Sequence, residues 1–448
     1  MTALFYLLGV VAFVVAILAS IGLHELGHMI PAKAFGGKVT QYFIGFGPTV
    51  WSRTKGETEY GVKAIPLGGY VKIVGMLPPD KEHAGKVEYD AGGNPVVTVR
   101  KSNTGLFAQL VSDARAAEWE TITAADQGRL FYRMDWWKKV IVMAGGPTVN
   151  LLIAFFIFAG LFATYGNPAA QVLHPVVSHV EACVVPAAQD GRVCTRTDPV
   201  SPAKQAGLQD GDRFVSFNGT PVHDWSDMQR LIRDNRNGSA TIVVERAGRD
   251  VTLHTNTMVT PRPTDVNDPK KLTPVGFLGV SPVVSYTTGG PLYTLGQMGG
   301  LAKESGQALV TLPVKVWGVA EAIAGVKPRS QNSPVSVVGG GRLAGEAASS
   351  HDFPLKDKVA SLLGLVAGFN FFIGLFNFVP LLPLDGGHIA GALWEALRRR
   401  LAKLRGLPDP GHVDVAKLLP VAYVVASFLL VMGVVLIVGD LVVPVPLS

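Results

Sequence analysis

The chain has 448 residues, of which 48% are hydrophobic and 17% charged, with a mean hydropathy of +0.30. That balance excludes an ordinary soluble protein, where charged residues make up about 25%, and equally a chain made of membrane spans alone. The net charge of +6 is spread over loops next to apolar segments, and no separate basic patch asks for nucleic acid.

Segments without Lys, Arg, Asp or Glu cover 1–23, 140–180, 359–384 and 418–439. Each contains an apolar stretch of the roughly 20 residues that a bilayer crossing needs. Four transmembrane helices are therefore expected, at 1–32, 137–165, 357–388 and 418–440. The first has no basic start and a longer apolar run than the roughly 7–15 residues of a secretory signal, so it reads as a retained helix.

After it, "QYFIGFGPTVW" and "TEYGVKAIPLGGYVKIVG" alternate apolar and polar residues around Gly and Pro. They predict a membrane-associated β segment over 39–75, made of short strands and turns. Residues 78–136 are polar and mixed in charge and read as a cytoplasmic insertion. It ends at Trp136, Trp137, Lys138 and Lys139, an interfacial anchor before span two.

Residues 171–260 read as a compact α+β domain. "SPAKQAGLQDGDRFVSFNG" predicts a helical turn and a short strand with Val215 and Phe217 on one face. "SDMQRLIRD" predicts a helix burying Met228, Leu231 and Ile232, and "TIVVERAGRDVTLHT" a hairpin turning at 247–249. Cys183 and Cys194 fall here, and a disulfide and two free thiols are equally compatible with two cysteines alone. Residues 290–350 read as helices along the membrane face followed by a glycine-rich connector, "SPVSVVGGGRLAGE".

Orientation follows from the basic residues. Residues 31–139 hold ten Lys and five Arg, and 391–417, a basic loop, holds six basic residues, whereas 140–190 and everything after Lys417 hold none. The two basic loops are therefore cytoplasmic, and both termini and the α+β domain lie outside.

Chemistry concentrates in "HELGH". His24 and His28, four apart, face the same way on a helix and can share one Zn²⁺, with Glu25 beside them as acid/base. With the helix centred near residue 17, His24 sits roughly 10 Å past the midplane, still inside hydrocarbon. Polar residues are costly there unless paired or metal-bound. Span three runs in the same direction and delivers Asp385, in "FNFVPLLPLDGGH", to the same depth as a third ligand.

Together, "HELGH", "PLDGG" and the strand-rich "FGP…PLGGYVKI" segment resemble the site-two protease family of intramembrane zinc metalloproteases. The α+β domain resembles a PDZ domain, above all in "SPAKQAGLQDGD", and narrows the resemblance to the bacterial branch that cleaves anti-sigma factors. The resemblance implies one Zn²⁺ per chain on His24, His28 and Asp385, with Glu25 catalytic. Asn377 would position substrate backbone, as would Gly68, Gly69 and Tyr70 on a strand edge. "AGGPTVN", residues 144–150, would pack close by. It further implies substrates that are single-span membrane proteins already cut once, a peptide or protein terminus at the PDZ-like domain, and a home in the bacterial plasma membrane with the active site near the cytoplasmic side. The competing readings are a membrane zinc carrier using the same polar residues and a PDZ scaffold with a structural metal. Spans two and four hold almost no polar residue beyond Asn150, which disfavours a transit pathway.

Overall fold

The computed structural model describes residues 2–78, 88–89, 95–96, 106–119, 122–186, 192–263, 272–350 and 353–445. Much of the expected cytoplasmic insertion lies outside them. The chain forms two compact units, one from Met1–Leu161 with Gly290–Ser448 and the other from Phe162–Gly289.

In the first unit, helix α1 (Thr2–Ala34) is followed by strands β1 (Val39–Lys55) and β2 (Thr58–Ile73). A two-residue ladder, β3 (Glu88–Tyr89) with β4 (Pro95–Val96), and helix α2 (Leu106–Trp119) come next, before helix α3 (Trp136–Thr164). Among the described residues four helices are long and apolar enough to cross a membrane: Thr2–Ala34, Trp136–Thr164, Leu355–Asn377 and Val415–Val442. Their apolar side chains face outward more often than inward. Leu4, Leu7, Leu8 and Val15 of α1 are exposed while Phe13 and Ile17 are buried. A helix hydrophobic all round is stable in lipid, not in water.

β1 and β2 are two long strands where several short ones were expected. Residues 41–44 pair on one side with 69–72 and on the other with 59–62, so the hairpin folds back on itself. Gly45 and Gly47 at φ 94° and 82° allow the bend. This leaves 69–73 on the side of the sheet that meets α1, where a Cβ on Gly69 would press on Ile21 and on Cγ of Glu25.

The second unit opens with strand β5 (Asn167–Val180) and helix α4 (Pro202–Ala206), then strands β6 (Arg213–Phe217) and β7 (Thr220–Pro221). Helix α5 (Trp225–Asn235) leads to strands β8 (Ser239–Arg246), β9 (Arg249–Asn256), β10 (Met258–Pro263), β11 (Leu272–Phe277) and β12 (Val280–Thr287). A six-stranded sheet runs β12-β5-β6-β8-β9 with β7 on β6, and β10 pairs with β11. The unit is therefore wider than the expected 171–260. Met228 and Ile232 of α5 pack on Phe214, Phe217, Ile242 and Val244. Asp224 caps α5 by accepting from the Asp227 amide. Ala247 and Gly248, at φ 52° and 75°, close the β8–β9 hairpin in two residues.

One expectation is overturned here: Val215 is 38% exposed, and Phe214 joins Phe217 in the core. A register shift between Phe214 and Ser216 inserts an extra residue, which moves Val215 out of the face that strict alternation assigns it. Cys183 and Cys194 are joined as a disulfide.

The chain then returns to the first unit through helices α6 (Pro291–Ile323), α7 (Val337–Ser349), α8 (Leu355–Asn377), α9 (Asp385–Leu404) and α10 (Leu419–Val442). The glycine-rich run expected as a connector is α7. Its glycines are its packing face: a Cβ on Gly340 would meet Phe13 and Phe369, one on Gly345 would meet Tyr6, and Gly9 of α1 meets Ala344 in the same way. Small residues allow membrane helices to approach closely, which outweighs glycine's poor helix propensity. The third span also differs from its expected 357–388, since α8 ends at Asn377 and Asp385 opens a new helix that carries most of the supposed basic loop to Leu404.

Candidate active site

Helix α1 is uncharged until His24, Glu25 and His28, all three of which are buried. Nδ1 of His28 lies 2.8 Å from the carbonyl oxygen of Val142 on α3. A carbonyl only accepts, so this nitrogen carries the proton and Nε2 presents its lone pair to the site. Nε2 of His24 is 3.2 Å from Nε2 of His28, and Oδ2 of Asp385 is 3.4 Å from each. Asp385 arrives there because Pro380 and Pro383 interrupt the helix after Asn377. The carboxylate then sits in the first turn of α9, where the helix dipole favours an acid.

Three glycines admit this convergence. A Cβ on Gly146 of α3 would collide with Nε2 of both His24 and His28. Gly27 and Gly145 face each other so closely that a Cβ on either would strike the other's carbonyl. The expected proximity of 144–150 to the histidines is thus an approach of backbone to imidazole.

A cavity of about 190 Å³ opens beside the triad, lined by His24, Glu25, Gly68, Gly69, Asn150 and Asn377, with Ser20 and three isoleucines. Of the residues expected to position substrate, Asn377, Gly68 and Gly69 are on this wall. Tyr70 is not: its hydroxyl donates to Oε1 of Gln41 at 3.3 Å, and its ring stacks on Phe43 at 5.6 Å. Ser20 and Asn150 are additions to the expected set. Asn150 is 2% exposed, and its Oδ1 has no hydrogen-bond partner among the described residues. Asn150 closes the 144–150 segment that was expected close by, without a role of its own, and a lone amide in an otherwise apolar span is the sequence signal for one. Ser20 accepts from Nδ2 of Asn370 at 3.0 Å, a buried tie between α1 and α8.

His24, His28 and Asp385 are the described residues that could hold a metal. With bonds of about 2.0–2.1 Å at tetrahedral angles, neighbouring donors on zinc lie about 3.3 Å apart. Separations of 3.2, 3.4 and 3.4 Å match this. Two nitrogens and one carboxylate oxygen are also a donor set that zinc accepts with a fourth position open. Nε2 of His24 points at the other two donors, and its Nδ1 is buried with no partner among the described residues.

Comparison with known proteins agrees with this geometry. The profile of peptidase family M50 matches residues 12–407. The zinc metalloprotease Rip1 of Mycobacterium tuberculosis is 34% identical over 454 aligned residues that cover 99% of each chain. That of Mycolicibacterium smegmatis is 33% identical over 98% of each. A putative zinc metalloprotease of Mesorhizobium japonicum is 28% identical over 87% of this chain and 89% of its own. On a match that runs from the first membrane-spanning helix to beyond the third, this chain belongs to peptidase family M50, the site-two protease family.

Proposed function

We propose that this protein is an intramembrane zinc endopeptidase that hydrolyses a peptide bond in or near the transmembrane segment of a single-span membrane protein. The convergence of His24, His28 and Asp385 from separate helices beside the cavity that Glu25 lines carries this reading. One zinc ion is held by these three residues, and when bound it supplies Lewis-acid polarisation to a water and to the scissile carbonyl. Glu25 accepts a proton from the attacking water and returns it to the leaving nitrogen. Asn377 hydrogen-bonds substrate backbone. The β2 edge at Gly68 and Gly69 replaces hydrogen bonds that a substrate helix gives up on unwinding. Tyr70 keeps the neighbouring strand in place through Gln41.

By its resemblance, the second unit is a PDZ-like domain outside the bacterial plasma membrane that takes a peptide or protein terminus. The substrates are then anti-sigma factors already shortened by a first cut, and the active site lies toward the cytoplasm.

The test is cleavage of shortened single-span substrates by the full chain in lipid, with zinc measured alongside. Glu25→Gln should keep its zinc and lose activity by about 10²–10⁴-fold, the usual contribution of a general base. Equal cleavage by the variant, or no cleavage by a zinc-loaded wild type, would remove the peptidase mechanism and favour a structural or transported metal.

A further inference from the structure

Away from the metal-binding end, α3 and α9 meet at a second cluster of charge that the reaction does not use. Glu395 of α9 is 1% exposed. Its Oε2 accepts from Nζ of Lys139 at 2.8 Å and from the Val413 amide at 3.2 Å, while Oε1 lies 3.2 Å from Nδ1 of His412 and from an Arg399 nitrogen. Lys139 is 6% exposed. The same loop is tied to α2 by Arg115, 2.6 Å from Oδ2 of Asp414.

The two helices joined by Lys139 and Glu395 are those that set the metal donors. Val142, less than one turn beyond Lys139, holds Nδ1 of His28, and Gly146, one turn further, lies against both imidazoles. Asp385 begins α9, and Glu395 follows ten residues later, about 15 Å along the same rod. The segment 378–384 before Asp385 is not helical, so α8 does not pass its own register on to α9. Ile389 packs on the apolar cluster around Val142 and Met143, but apolar contact is non-directional and tolerates sliding. A short, fully buried ion pair fixes both distance and direction.

Resting on the metal reading above, we propose that Lys139 and Glu395 form a latch between α3 and α9 that places Asp385 against His24 and His28. They are positioning residues acting through the helices, since neither touches the metal donors. A metal ligand tolerates displacement of only about 0.5 Å, so a small slide of α9 is enough to open the site.

The test uses the full chain in lipid and reads metal binding. Zinc affinity is measured by chelator competition, and ligand geometry by the visible absorption of bound Co²⁺. Glu395→Gln and Lys139→Met should each weaken zinc by about tenfold or more and change the Co²⁺ spectrum, a loss of the size seen when outer partners of metal ligands are removed. Asp414→Asn, which loosens the loop but spares the pair, should leave the zinc dissociation constant within about twofold.

Folded Glu395→Gln and Lys139→Met variants with wild-type zinc affinity and Co²⁺ spectrum would overturn the latch and leave the pair a fold-stabilising contact. If either single variant does not fold, the double variant Lys139→Met with Glu395→Leu leaves neither charge unpaired in the interior. It should fold and still bind zinc about tenfold more weakly. Wild-type affinity in the double variant, or its failure to fold as well, would overturn the proposal. Absence of Zn²⁺ and Co²⁺ binding in the wild type, or equal binding by Asp385→Asn, is a different result and would remove the metal reading itself.

Discussion

At the scale of single residues, the site depends as much on missing atoms as on donors. Gly146 lies where any side chain would strike Nε2 of His24 and His28. Gly146→Ala should therefore displace both imidazoles and weaken zinc by at least about tenfold, while the helices persist because alanine is the better helix former. Chelator competition together with circular dichroism checks both halves, and wild-type zinc affinity in Gly146→Ala would show that α3 can retreat without consequence. The donors were legible in the sequence because imidazoles four apart within an apolar segment have few inexpensive explanations. Ser20 was not, and for Gly145 and Gly146 only a place near the site was expected, since a glycine's role depends on what approaches it.

At the scale of elements, α7 shows how composition misleads when a helix packs tightly against another. "SVVGGG" reads as a connector by its propensity in water, yet Ser336 caps a 13-residue helix whose glycines lie against Phe13, Tyr6 and Phe369. Gly340→Leu inserts four carbons where a Cβ alone is already too close. Overpacking of this kind costs about 1–3 kcal/mol. The expected result is a lower thermal denaturation midpoint in detergent, and an unchanged midpoint would mean that α7 is only loosely held. The N-terminal end of α7 is also fixed by polar contacts: Asp440 of α10 accepts from the Ser336 amide at 2.7 Å and pairs with Arg329 at 2.8 Å, the Asp440 and Arg329 side chains being almost fully buried. Asp440 ends an apolar span, so its charge reads from the sequence as a boundary, and only the fold shows its partner.

At the scale of the whole molecule, the two units are stabilised by different physics. The first is built on apolar helices with isolated buried ion pairs, and the second on a conventional core under a sheet. In the second unit, burial alone would raise the carboxyl of Asp212, but the Arg246 guanidinium and the Gln209 amide hold it below the ordinary carboxylate range. A depressed carboxyl stabilises the fold fully above its unfolded value of about 3.9 and loses that contribution as pH falls through the lower folded value. Thermal unfolding of the full chain should therefore show a loss of stability below about pH 4, and Asp212→Asn should flatten that slope. An unchanged slope in the variant would assign the acid sensitivity to other carboxylates.

The four apolar stretches, the histidine pair, Glu25, Asp385 and the strand-rich segment were determined by the sequence itself, because hydropathy, helical spacing and proline breaks are local properties. Which strand lies against Glu25, that Tyr70 turns to Gln41 and that Val215 leaves the core were decided by tertiary structure alone. So was the pairing of Lys139 with Glu395, residues 256 apart in the chain. Each of these is an interaction between distant segments, and its free energy depends on distance and burial, which no local pattern encodes.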